Sequence, residues 1–141
     1  MTLDRALAPG RVAWALAQIG VTAADLAAAT GANKRTAATW LDEPLVDPKK
    51  KIHQVRLREL KEVTRFIVDD GTIPNQEADW LRHPNRSVDF STPLDLIREG
   101  RWKHAGRLYC EDVAAEVPAL FKSEKELVQV PTASEPFPMP D

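Results

Sequence analysis

The stretch from Gly20 to Trp40 constrains the fold more than any other part of the chain. Thr22, followed three residues later by Asp25, is a variant capping box that opens a helix. Leu26 and the alanines around it are small enough to let a second helix cross close by. Gly31 supplies the permissive backbone of a tight turn. Asn33 then caps a further helix whose first turn holds Lys34, Arg35 and Thr36. Cations at a helix N-terminus oppose the macrodipole and cost stability. They make sense where that end faces phosphates and base edges, as the second helix of a helix-turn-helix does in the major groove. The competing reading is an Ala-rich helical hairpin with a solvated polar face, and the placement of the cations favours the first.

A chain of 141 residues, 43% of them hydrophobic, builds one domain or two small ones rather than a disordered polymer. No apolar run approaches the ~20 residues that span a bilayer, and the N-terminus lacks the layout of a signal peptide. Cys110 is the single cysteine, which excludes an intramolecular disulfide and a cysteine zinc site and points to a reducing cytoplasm. His53, His83 and His104 fall in different elements with no i, i+4 pairing. There is no metal-ligand spacing, no Ser/His/Asp or Cys/His order and no glycine loop for phosphate. The expectation is a binding protein without cofactor or catalysis.

The net charge of −2 conceals an asymmetry. Residues 31–65 hold Lys34, Arg35, Lys49, Lys50, Lys51, Arg56, Arg58, Lys61 and Arg65 against Asp42, Glu43, Asp47, Glu59 and Glu62, a local balance of +4. From Glu111 onward seven anions face two cations, a balance of −5. Phosphate attraction follows the local field rather than the total. A basic DNA face and an acidic tail are the result.

Three parts follow along the chain. Residues 1–70 read as a four-helix DNA-binding domain. Pro9 stands at the first position of a helix carrying Val12, Ala13, Leu16 and Ile19. The hairpin helices follow, and Asp47 is expected to cap a long fourth helix with Pro48 at its first position. Ile52, Val55, Leu60, Val63 and Ile67 form its apolar stripe, and Gly71 ends it. Residues 71–116 read as a small helical domain. It holds a helix from Pro74 to Leu81, another opened by the Thr92–Asp95 box and ended by Gly100, and a last one from Arg101 to Ala115. Residues 117–141 read as a Pro-rich, acidic, flexible tail, either plain or folding on a partner. No strand-like alternation occurs, so the fold class is all-α. Trp14, Trp40, Trp80 and Trp102 are read as core or subunit-interface anchors.

The segment Trp80-Leu81-Arg82-His83-Pro84-Asn85, followed by Thr92-Pro93-Leu94-Asp95-Leu96-Ile97-Arg98-Glu99-Gly100, resembles the toxin-binding domain of the Xre/MbcA/ParS antitoxin family. The match covers about residues 50–113, and an Xre-like helix-turn-helix in front is also that family's layout. The resemblance implies a dimeric or higher-order antitoxin that represses its own operon. It also implies a C-terminal domain docked on a toxin, often one whose RES domain destroys NAD.

The residues themselves leave other classes open. A stand-alone repressor of phage or prophage type would use the second domain to dimerise or to contact DNA, with no toxin. An interaction module that has lost DNA binding would not need Lys34 and Arg35 where they stand. The expected DNA contacts are Thr22, Asn33, Lys34, Arg35, Thr36 and Thr39, with Lys49, Lys50 and Lys51 on phosphate. The expected partner or dimer surface is Trp80, Leu81, Pro84, Asn85, Leu94, Ile97, Trp102 and Leu108. Partners are therefore an operator duplex, a second copy of the chain and a toxin, in the cytoplasm and away from membranes.

Overall fold

The structure, a computed structural model, describes residues 9–43, 47–71 and 76–122. It contains α1 (Pro9–Ala17), α2 (Ala23–Thr30), α3 (Lys34–Asp42), α4 (Lys51–Asp70), α5 (Glu77–Leu81), α6 (Pro93–Arg98) and α7 (Trp102–Asp112). Short 3-10 turns lie at Arg86–Val88 and Ala119–Phe121. Among the described residues there is no strand, only an isolated antiparallel bridge between Asn85 and Ser91. The all-α expectation is met. No helix among the described residues is long and apolar enough to cross a membrane.

Local signals set most of the helix ends. Pro9 opens α1, and Val12, Ala13 and Leu16 on its inner face are fully buried. Ile19 falls beyond the end of α1 but still packs against the core. Trp14, on the other face, is 46% exposed and is not part of the core among the described residues. Gly31 (φ 81) and Gly71 (φ 68) close α2 and α4 in the left-handed region, where a side chain would add strain.

The start of α4 departs from expectation. Asp47 does not cap it, and Pro48 is not its first residue: the helix begins at Lys51, and Lys50 at its N-cap makes no side-chain cap bond. Asp47 Oδ1 instead accepts from the Gly10 backbone N–H at 3.2 Å. That donor lies in the first turn of α1 and has no partner inside the helix, so the long-range bond takes the carboxylate. The Gln54 side chain donates to the Pro48 carbonyl at 2.7 Å and holds the linker against α4. Ile52, expected on the apolar stripe, is 48% exposed.

Leu57, Leu60, Val63 and Ile67 of α4 are buried at the centre, where the helix touches α1, α2, α5, α6 and α7. Each such side chain contributes on the order of 1.5–3 kcal/mol. One hydrophobic core runs from Val12 to Phe121, continuous across the position where the 1–70 and 71–116 segments meet. The predicted helix from Pro74 is observed from Glu77, and residues 72–75 lie outside the described residues. The tail expected from 117 begins with an anchored piece. Phe121 is fully buried, edge-on to Phe66 at 5.0 Å and to Trp102 at 6.1 Å. Gly106 of α7 lies flat against the Phe121 ring and leaves no room for a Cβ. Residues 123–141 of the tail lie outside the described residues.

Candidate nucleic-acid interface

The α2–turn–α3 unit forms as its local code requires. Thr22 Oγ1 accepts from Asp25 N at 3.2 Å, and the Asp25 carboxylate accepts from Thr22 N at 2.9 Å. Asn33 Oδ1 accepts from Thr36 N at 2.8 Å and caps α3. Ala29 on α2 and Ala37 on α3 are both fully buried, and these small residues let the two helices cross closely. Ala37 and Trp40 turn inward from α3, while Lys34, Arg35 and Thr39 remain exposed. The Thr39 hydroxyl donates to the Arg35 carbonyl at 3.1 Å.

The exposed face of α3 borders an open cleft of about 620 Å3. From the turn and α3 it is lined by Asn33, Arg35, Thr36, Thr39 and Trp40. From the opposite side it is lined by Asp47, Lys49 and Lys50 of the linker and by His53 of α4. Six of the nine expected DNA contacts are thereby brought together: Asn33, Arg35, Thr36, Thr39, Lys49 and Lys50. Thr22, Lys34 and Lys51 are exposed but lie outside this lining. Among the described residues, none of Arg35, Lys49 and Lys50 is in an ion pair. Further along α4 the cations are engaged with anions: Arg56 with Glu59 at 2.8 Å and Arg65 with Asp69 at 3.7 Å. Arg35, Lys49 and Lys50 thus bring three cations outside these ion pairs to the cleft, beside the one carboxylate of Asp47.

His53 was not among the expected contacts. Its ring meets Trp40 edge-on, with centroids 5.5 Å apart. Burial, and secondarily the Lys50 ammonium, push its pKa below the ordinary histidine value. The signal was weak but legible: His53 lies one helical turn beyond the lysine cluster.

The second half holds the Trp80–Gly100 pattern. Leu81, Leu94, Ile97 and Leu108 are buried in this chain's own core, at no more than 3% exposure. A surface of this chain cannot present them, because α5, α6 and α7 use them to pack on one another and on α4. Trp80 and Trp102 are half-buried, and Trp80 Nε1 donates to Asp112 at 3.0 Å. Pro84 is exposed. Asn85 Oδ1 accepts from Ser87 N at 2.9 Å and shapes the loop. At that loop's tip, Asp89 and Phe90 both hold left-handed backbone (φ 61 and 64), and Phe90 is 65% exposed.

A residue inside the quoted pattern, Arg82, joins the two halves. Its Nε donates to both Asp25 carboxylate oxygens at 3.0 Å, and its Nη2 donates to the Gly20 carbonyl at 2.8 Å. The Asp25 that caps α2 is thereby also half of an ion pair, its side chain 7% exposed. The bond to Asp25 is the main cause that raises the Arg82 pKa above its ordinary value.

Against known proteins, the chain is 29% identical over 103 residues to the probable mycobacterial cidal antitoxin Rv3188 of Mycobacterium tuberculosis H37Rv. That alignment covers 73% of this chain and 85% of the relative. It is 27% identical over 93 residues to the mycobacterial cidal antitoxin MbcA of Mycobacterium bovis, covering 65% of this chain and 79% of the relative. The same figures hold for MbcA of M. tuberculosis CDC 1551. No protein-family model matches the chain, and no solved structure matches it significantly. The chain is therefore similar to proteins named as antitoxins, in agreement with the MbcA-type resemblance carried by Trp80–Gly100.

Proposed function

We propose that this chain is an antitoxin that binds operator DNA through α3 and the neighbouring cleft, represses its own promoter, and neutralises a partner toxin through its C-terminal half. The observation that carries the reading is its similarity, over 73% of its length, to a protein named as a cidal antitoxin. The relatives favour this over a stand-alone repressor. The DNA arm is supported by the capped α2–α3 unit, whose recognition helix leaves Arg35 and Thr39 exposed beside Lys49 and Lys50. Arg35 reads a base edge, and Lys49, Lys50 and Lys51 hold phosphate and set register. A homodimer in the cytoplasm presents two copies of α3 to half-sites about one helical turn apart. The toxin is of the RES-domain class that the resemblance implies. The chain itself acts by binding, with no catalysis and no cofactor.

The test is purification of the tagged protein from its native cell, with bound proteins and bound DNA both identified. A stoichiometric protein released only by denaturation, together with DNA from the chain's own promoter, is the expected result. Recovery of DNA sites with no protein partner would sink the antitoxin reading. On the recovered operator, Arg35→Ala should cost about 1–3 kcal/mol and relax preference at one base. Lys50→Ala should weaken all sequences alike and lower the salt slope by about one.

A further inference from the structure

The charged side chains that line the cleft beside α3 are mostly cationic. Arg35 enters from α3, Lys49 and Lys50 from the linker, and His53 from α4. The one carboxylate in its lining, Asp47, accepts from the Gly10 N–H of α1 through Oδ1 and leaves the cations in excess. The cleft therefore gathers three cations from two elements that are not consecutive turns of one helix. Together with Asp47, these are the charged groups that face His53 across it. His53 itself is held by the ring of Trp40, which is 3% exposed and fixed in the core.

We propose that this cleft seats a backbone phosphate of the bound duplex and that His53 is a proton-linked contact to it, so that DNA binding takes up a proton. The inference rests on the DNA-binding reading and adds to it a residue, an atom class and a pH dependence. In the free protein, burial and the Lys50 charge favour the neutral ring. A phosphodiester arriving in the same cleft reverses the local field and favours the imidazolium. The pKa of His53 is thus higher in the complex than in the free chain. By linkage, affinity rises as pH falls through the interval between those two values and is level on either side of it. His83 and His104 lie outside the cleft lining.

The experiment measures binding of the full chain to a fluorescein-labelled mixed-sequence duplex of about 20 bp, two helical turns, at low ionic strength. Wild-type affinity is expected to rise about threefold to tenfold from about pH 8 to about pH 6. His53→Gln should bind about threefold to tenfold more weakly than the wild type at the lower pH and show a flattened profile. Equal pH profiles for the two proteins overturn this inference alone. Failure of the wild type to bind any duplex overturns it together with the DNA-binding reading. The second measurement needs no variant. In the histidine NMR spectrum of the wild type, adding the same duplex should raise the titration midpoint of His53 and leave that of His104 in place. A His53 midpoint that stays or falls overturns the proposal.

Discussion

The two Thr-x-x-Asp capping boxes of this chain are nearly identical as local objects and opposite in what the fold asks of them. In α2 the reciprocal distances between Thr22 and Asp25 are 3.2 and 2.9 Å; in α6 those between Thr92 and Asp95 are both 3.1 Å. Gly31 (φ 81) is the left-handed C-cap of α2, and Gly100 (φ 83) is the left-handed residue just past the α6 C-cap, Glu99. Yet Asp25 is buried and paired with Arg82 from the other half of the chain, while among the described residues Asp95 has no ion pair. The glycines differ in the same manner. Gly31 has nothing within 4 Å of a would-be Cβ, whereas at Gly100 the Arg56 guanidinium would stand 3.2 Å away. A cap satisfies backbone donors whatever surrounds it. Burial decides whether the same carboxylate also ties two parts of the molecule together.

The largest expected effect is on the buried box. Asp25→Ala removes a cap bond and the charged partner of Arg82, and should cost about 2–3 kcal/mol in urea unfolding, since the guanidinium keeps access to water. Next comes the coupling itself. A double-mutant cycle between Asp25→Ala and Arg82→Ala should return about 1–2 kcal/mol, and a value near zero would mean that the ion pair does not tie α2 to α5. Asp95→Ala should cost only about 1 kcal/mol, the usual value of a lone cap. A cost equal to that of Asp25→Ala would erase the distinction between the boxes.

Just ahead of the second box, Asp89 holds left-handed backbone (φ 61). Asp89→Gly should raise stability by up to about 1 kcal/mol by relieving that strain, as a higher thermal midpoint would show. The smallest effect concerns His104, whose pKa is lowered first by burial and then by Arg101 and Arg107. A histidine depressed in the folded state binds protons more readily when unfolded. Its contribution is therefore whole above the unfolded value of about 6.5 and declines as pH falls from there toward the folded pKa. Replacing His104 with Gln should flatten that decline, measured as the thermal midpoint between about pH 7.5 and about pH 5.5.

Much of this architecture was legible in the chain because it is written in short-range chemistry. Thr22, Asn33 and Thr92 cap where their spacing says they must, and Gly31 and Gly71 end helices through backbone freedom alone. The gathering of Arg35, Thr36 and Thr39 on one side of α3 follows from helical periodicity. Asp47 was misread because two helix N-termini compete for one carboxylate, and only the fold brings Gly10 within reach. Phe121 sat in a Pro-rich context that reads as tail, and nothing local announces that Gly106 leaves a flat seat for its ring. Leu81, Leu94, Ile97 and Leu108 carry the family-like pattern, but an apolar residue on a helix face does not say whether the covering surface is another chain or its own.

By itself the sequence determined the capped starts of α2, α3 and α6, the all-α class and the basic character of the α3 face, because each depends on neighbours within a turn or two. Tertiary structure alone decided that Arg82 clasps Asp25, that Asp47 serves α1, that Phe121 belongs to the core and that α3 brings Arg35 and Trp40 to the same cleft as His53. Asp47 and Gly10 are 37 positions apart, and Arg82 and Asp25 are 57 apart. A separation of that size is closed by burying a shared core, and no local pattern encodes which partner will be waiting there.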